Sequence, residues 1–117
     1  MPNKARKQKR YNDLLRDIVS SFIKEKIDFK AMVTVMRVET PDNLRSAKVF
    51  ISAFPEEKEK EALDFFKRKK NDLYDFVKPR LKIRFLPSFF FEIDKAINLV
   101  NILIIGLHEG LLVFILL

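Results

Sequence analysis

Residues 32–54, MVTVMRVETPDNLRSAKVFISAF, decide the fold of this chain. Apolar and polar positions alternate on both sides of a Thr40-Pro41-Asp42-Asn43 break, and β-branched residues dominate, which is the pattern of a strand, a turn and a second strand. A period of two places Met32, Thr34, Met36 and Val38 on one face of the first strand, and Val33, Val35, Arg37 and Glu39 on the other. In the second strand Ala47, Val49, Ile51 and Ala53 share a face, opposite Lys48, Phe50, Ser52 and Phe54. A two-stranded hairpin is only marginally stable by itself, so this one requires a third strand and a cover of helices.

Both are within reach. Upstream, Tyr11, Leu14, Leu15, Ile18, Val19, Phe22 and Ile23 recur at three- and four-residue steps, the apolar stripe of an amphipathic helix. Before it, residues 1–10 carry Lys4, Arg6, Lys7, Lys9 and Arg10 and no acid, and read as a flexible basic arm. Downstream of Pro55, Glu56, Glu57, Glu59 and Glu61 suit the positive end of a helix whose apolar side is Ala62, Leu63, Phe65 and Phe66. An unbroken basic run, Lys67-Arg68-Lys69-Lys70, separates it from a second helical pattern with Leu73, Phe76 and Val77, which Pro79 is expected to stop. The two helices meet around 69–71, with Asn71 as the kink residue because Asn tolerates a left-handed backbone. Residues 78–85, KPRLKIRF, interleave Lys78, Arg80, Lys82 and Arg84 with apolar residues, and an extended conformation is expected for 81–85. SFFFEI at 88–93 reads as a mostly buried third strand. The order is therefore helix, two strands, two helices, strand: an α+β domain at 11–96 with helices on one face of a three-stranded sheet.

Composition narrows the function. The chain of 117 residues carries 23 Lys and Arg against 16 Asp and Glu, a net charge of +7, which favours a polyanionic partner. It has no Cys, which excludes disulfides and thiolate chemistry and is compatible with a reducing compartment. The N-terminus has charge but no apolar run behind it, so no signal peptide is expected. One His, His108, sits beside Glu109 in an apolar stretch without a nucleophile, and the only glycines are Gly106 and Gly110, so no phosphate-cradling glycine loop exists. The glutamates at 56–61 lie among lysines and read as a solvated helix start, since a metal site needs ligands converging from several elements. No catalysis, no cofactor, no metal and no small-molecule substrate are expected.

The residues also carry a family resemblance. VTVMRVETPDNLRSAKVFIS, the basic entry into the first helix, the Glu-rich start of the second and LKIRFLP before the last strand resemble, in order and spacing over roughly residues 4–96, ribosome-binding factor A, a bacterial factor for maturation of the small ribosomal subunit. The resemblance implies a type II K-homology fold and a cytoplasmic, non-enzymatic assembly factor that binds immature small-subunit rRNA and the small subunit, with a monomeric chain expected. The family replaces the Gly-x-x-Gly loop of K-homology domains with an Ala-x-Gly kink between two helices. Here Lys69-Lys70-Asn71 stand at those positions, so the close backbone approach that only glycine permits is lost, while two lysines are added for phosphate. The expected RNA-binding residues are Lys4, Arg6, Lys7, Lys9 and Arg10; Arg45 and Lys48, with Arg37 beside them; Lys67, Arg68, Lys69, Lys70 and Asn71; and Lys78, Arg80, Lys82 and Arg84. Aromatic stacking on bases is not expected, because Phe89, Phe90 and Phe91 fall in a core strand and Tyr11 and Tyr74 on packed helix faces.

Residues 97–117, INLVNILIIGLHEGLLVFILL, depart from the family pattern and contain no Lys or Arg. Three readings stand: a short helix at 95–105 folding back on the domain, with 111–117 as an apolar strand or helix; the product of a reading frame shifted near codon 101; or a membrane tail anchor, which the length allows but Asn98, Asn101 and the central His108-Glu109 oppose. The last underlies a rival function, a membrane-attached interaction module with its basic arm on anionic lipid.

Overall fold

The computed structural model describes residues 2–28 and 30–94, with side chains from residue 5 onward. The elements in order are helix α1 (Pro2–Lys26), strands β1 (Met32–Glu39) and β2 (Ser46–Phe54), a 3-10 turn (Glu56–Lys58), helices α2 (Glu59–Arg68) and α3 (Lys70–Leu81), and strand β3 (Ser88–Ile93). The sheet order is β1-β2-β3. β1 and β2 form the expected antiparallel hairpin, and β3 adds parallel to β2, pairing Ser46 with Ser88 and Ile51 with Ile93. A parallel neighbour needs a crossover, and α2 and α3 supply it.

Among the described residues, helices cover one face of the sheet and leave the other open. Leu15, Val19 and Phe22 of α1 are fully buried against the inward residues Val35, Val38, Val49 and Ile51. Phe22 sits between α2 and α3: its ring lies 6.0 Å from that of Phe65 and 5.4 Å, edge-on, from that of Phe76. Phe66 stacks on Phe91 of β3 at 3.8 Å, closing the core on the third strand. Leu14 departs from the expected stripe. It is 43 % exposed, because the stripe on α1 is narrower than the periodicity allows and Leu15, Ile18, Val19, Phe22 and Ile23 fill it.

Five further expectations are corrected. The arm at 2–10 is helical, part of α1. Ala, Lys, Arg and Gln are strong helix formers, and the first half of α1 is fastened to the hairpin turn: Gln8 Nε2 donates to the Thr40 carbonyl at 2.6 Å, and Thr40 Oγ1 donates to Asn12 Oδ1 at 2.7 Å. In β1, Val35 pairs with Ile51 and Arg37 with Phe50, leaving Met36 as one extra residue in a bulge. The bulge breaks the period of two, so Val35 and Val38, assigned to opposite faces, both point into the core and Arg37 turns outward. α3 continues through Pro79 to Leu81. Proline removes a single helical hydrogen bond in this last turn, and continuation buries Leu81 beside Phe76 and Val77. Residues 82–87 are consequently an irregular loop that begins at Lys82 in the left-handed region (φ 51°, ψ 42°), so 81–85 are not extended. Finally, β3 is half-buried: Phe89 is 8 % exposed and Phe90 56 %, since helices cover only one face.

Candidate nucleic-acid interface

The topology sorts the basic residues into two groups at opposite ends of the sheet. The hairpin-turn end holds the start of α1, tied to Thr40, together with Arg45 and the loop that enters β3. The Ser88 amide donates to the Arg45 carbonyl at 3.0 Å, which brings the 82–87 loop against the turn. Arg6, Lys7, Arg10, Arg45, Lys82 and Arg84 are exposed at this end, and none of them forms an ion pair among the described residues. Lys9 is held by Asp13 at 3.0 Å, one helical turn away. Lys4 lies in α1, with its side chain outside the described set. Lys78 and Arg80 lie in the last turn of α3; Lys78 is unpaired among the described residues, whereas Arg80 donates to the Phe76 carbonyl at 2.7 Å and stacks 3.6 Å over its ring.

The opposite end holds the junction of α2 and α3. α3 has 12 residues and is about 18 Å long, so the junction is a separate place. Lys69 makes the break with φ −101° and ψ 20°, a conformation open to any residue. Its amide donates to the Phe65 carbonyl at 2.8 Å and its carbonyl accepts from the Leu73 amide at 2.9 Å. The kink is therefore two residues earlier than Asn71 and of a different kind than expected. It needs no left-handed backbone, and Asn71 is an exposed residue in the first turn of α3.

The four-residue basic run divides. Arg68 reaches Asp28, just past α1, with a two-pronged contact of 3.0 and 3.3 Å. The hydrogen bond from Arg68 holds the Asp28 carboxyl below its usual pKa, and the same contact raises that of the guanidinium. Lys69 lies 3.9 Å from Asp72. Lys67 and Lys70 remain exposed and unpaired among the described residues. The junction thus offers two free cations and one that fastens the kink to the α1–β1 connection.

The open sheet face is different in character. Arg37 donates to Asp94 at 2.7 Å and to Glu39 at 3.2 Å, and its guanidinium lies 3.9 Å over the Phe50 ring. The Asp94 hydrogen bond is the main reason the Arg37 pKa is raised. Lys48 faces Glu92 across the β2–β3 pair at 3.7 Å. These cations are matched by acids, so Arg37 and Lys48 stand apart from the unpaired groups at the two ends. Two exposed aromatics escaped the sequence reading, Phe90 on this face and Phe85 in the loop. Phe90 follows from the alternation of β3 once one face is known to be open; Phe85 follows only once 82–87 is known to be a loop.

Among the described residues no group of His, Cys, Asp and Glu is arranged to hold a metal ion, and no helix is long and apolar enough to cross a membrane. The fold-back helix, shifted frame and membrane anchor considered for residues 97–117, and the domain boundary at 96, lie outside the described residues.

Residues 7–102 match the family model for ribosome-binding factor A. The ribosome-binding factor A of Clostridium perfringens is 37 % identical over 95 residues, covering 77 % of this chain and 82 % of the relative. That of Caldanaerobacter subterraneus is 32 % identical over 93 residues, covering 76 % of each. The crystal structure of the Thermus thermophilus factor superposes with a TM-score of 0.69 at 23 % identity, covering 78 % of this chain and 99 % of that one, which shows a shared K-homology-like fold. A homology model of the Thermus thermophilus factor, fitted into the cryo-EM map of its complex with the 30S subunit, superposes with a TM-score of 0.62 at 25 % identity, over 72 % of this chain and 91 % of that one. The helix-strand-strand-helix-helix-strand order and a match over most of the chain converge: this protein belongs to the ribosome-binding factor A family.

Proposed function

We propose that this protein is a non-enzymatic, cytoplasmic and monomeric assembly factor that binds immature small-subunit rRNA and promotes maturation of the small ribosomal subunit. Family membership carries the reading, and the relative fitted into a 30S complex supports the small subunit as partner. The cations best suited to phosphate are those without an internal acid: Arg6, Lys7, Arg10, Arg45, Lys78, Lys82 and Arg84 at one end, and Lys67 and Lys70 at the kink. Lys4, Lys9, Lys48, Arg68, Lys69, Asn71 and Arg80 complete the proposed surface in a secondary role, most of them already engaged within the fold. Two cationic ends joined by a rigid helix suit an RNA segment long enough to touch both.

Sedimentation of the full chain with free small subunits in a sucrose gradient, lost at high salt, is the expected result. A detergent-released membrane pool without such co-sedimentation would replace this reading with the membrane-attached one. Each phosphate neutralised adds about 0.7–0.9 to the slope of log affinity against log salt. Lys67→Ala with Lys70→Ala should therefore weaken subunit binding and flatten the slope by roughly 1–2 units. Lys58→Ala with Lys60→Ala, beside the glutamates that start α2, should leave it unchanged; equal behaviour of the two pairs would remove the kink from the interface.

A further inference from the structure

We infer that Phe85 is a stacking platform for one unpaired nucleobase, a site that rests on the RNA-binding reading and adds base contact to a surface so far made of charge. Phe85 is 75 % exposed, the most exposed large apolar side chain among the described residues. The loop that carries it is pinned at both ends. Leu81 is buried at the end of α3, Pro87 is fully buried, and Ser88 is hydrogen-bonded to Arg45. Lys82 takes a left-handed conformation that turns the chain out of the helix, so the three residues between Lys82 and Leu86 project outward. An exposed ring in a fixed loop keeps its apolar surface in water at a cost of free energy, and among the described residues only the Arg84 guanidinium lies over it.

The surroundings select the occupant. Residues 76–91 contain Lys78, Arg80, Lys82 and Arg84 and no acid. Arg84 lies over the Phe85 ring at 5.3 Å, which occupies one face and leaves the other to solvent. A ring with a guanidinium on one side, set among unpaired cations, matches a base carrying its own phosphates: the π-face stacks on the open side while Lys82 and Arg45 meet the backbone. An apolar peptide or an acyl chain would need a wider apolar floor than one ring in a basic loop. Stacking of this kind tolerates any base, since every base has a π-face.

The test uses the full chain and two single-stranded probes of equal length, oligoadenylate and an abasic oligomer with the same phosphates. The wild-type protein should prefer oligoadenylate, and Phe85→Ala should abolish that preference, with an affinity loss on the order of 5- to 100-fold for oligoadenylate only. Affinity for the abasic oligomer, its salt slope and the thermal melt should stay as in the wild type. Phe85→Trp should restore the preference and, in a protein with no other Trp, give a fluorescence quenched by oligoadenylate. If Phe85→Ala binds oligoadenylate as the wild type does, or the Trp emission is indifferent to it, the stacking site is wrong while phosphate binding stands. A melt lowered by Phe85→Ala would show that the ring packs on its own chain, which also overturns the site. Failure of the wild type to bind either probe or the subunit would overturn the RNA-binding reading itself.

Discussion

Phe22 shows how one residue can hold three helices together. It is fully buried on α1 and touches a ring from each of α2 and α3. Phe22→Ala should cost roughly 3–5 kcal/mol, a large share of the ~5–15 kcal/mol of a small domain. Leu14→Ala, on the exposed edge of the same helix, should cost less than about 1 kcal/mol. Denaturant melts of the two variants check the contrast, and equal costs would mean α1 is rotated from the orientation described. Asp28 offers a second test at this scale. Its folded pKa is lowered by Arg68, so the pair contributes stability that is fully present above the unfolded carboxyl value of 3.8 and is lost as pH falls through the folded one. Asp28→Asn should therefore flatten the acid limb of the stability curve below about pH 4 and leave its shape near neutrality unchanged. An acid limb identical to the wild type would remove the clamp from solution. The pairing was not visible in sequence, because 40 positions separate its partners.

At the scale of elements, β1 is the informative case. A strict alternation over 32–39 assigns Val35 and Val38 to opposite faces, yet both are buried. The extra residue at Met36 reconciles them, because Val35, Arg37 and Val38 face Ile51, Phe50 and Val49 in sequence. Deleting Met36 would leave a strand that alternates regularly in the same register. The deletion should therefore fold, with a loss of no more than about 1–2 kcal/mol from repacking. Without the bulge the same deletion would throw Val38 out of the core and flip every later residue of the strand. A deleted chain that fails to give a cooperative melt would contradict the register. α3 teaches the complementary point. Its sequence predicts a stop at Pro79, but a proline in the last turn costs a single bond, and the burial of Leu81 outweighs it.

At the scale of the molecule, the core of the described residues closes on β3. Its residues run from Leu15 to Phe89, with Phe91 and Ile93 packed against them. A chain ending at Ile97 should keep its cooperative melt within about 0.5 kcal/mol of the full chain. It should also remain soluble at higher concentration, since residues 111–117, LLVFILL, are uncharged and rich in β-formers. Loss of the melt on truncation would make residues beyond 97 part of the fold. The division of the cations between two ends is also a property of the whole chain. Residues 67–70 and 78–84 are close in sequence, but the length of α3 parts them.

The sequence by itself determined the class of fold, the order of six elements, the inward face of β2 and the absence of thiol chemistry. These follow from local periodicity and composition, which need no knowledge of what packs where. The family pattern in VTVMRVETPDNLRSAKVFIS and LKIRFLP was legible for the same reason, because it is written in short contiguous runs. Only the tertiary structure decided that residues 2–10 are helical, that Met36 is a bulge, that α3 runs through Pro79 and that Phe85 and Phe90 face solvent. It also decided which cations are free, since Asp28 holds Arg68 and Asp94 holds Arg37 across 40 and 57 positions of sequence. Each of these depends on a partner brought near by the fold, and no periodicity along a single chain encodes the distance to a residue on another element.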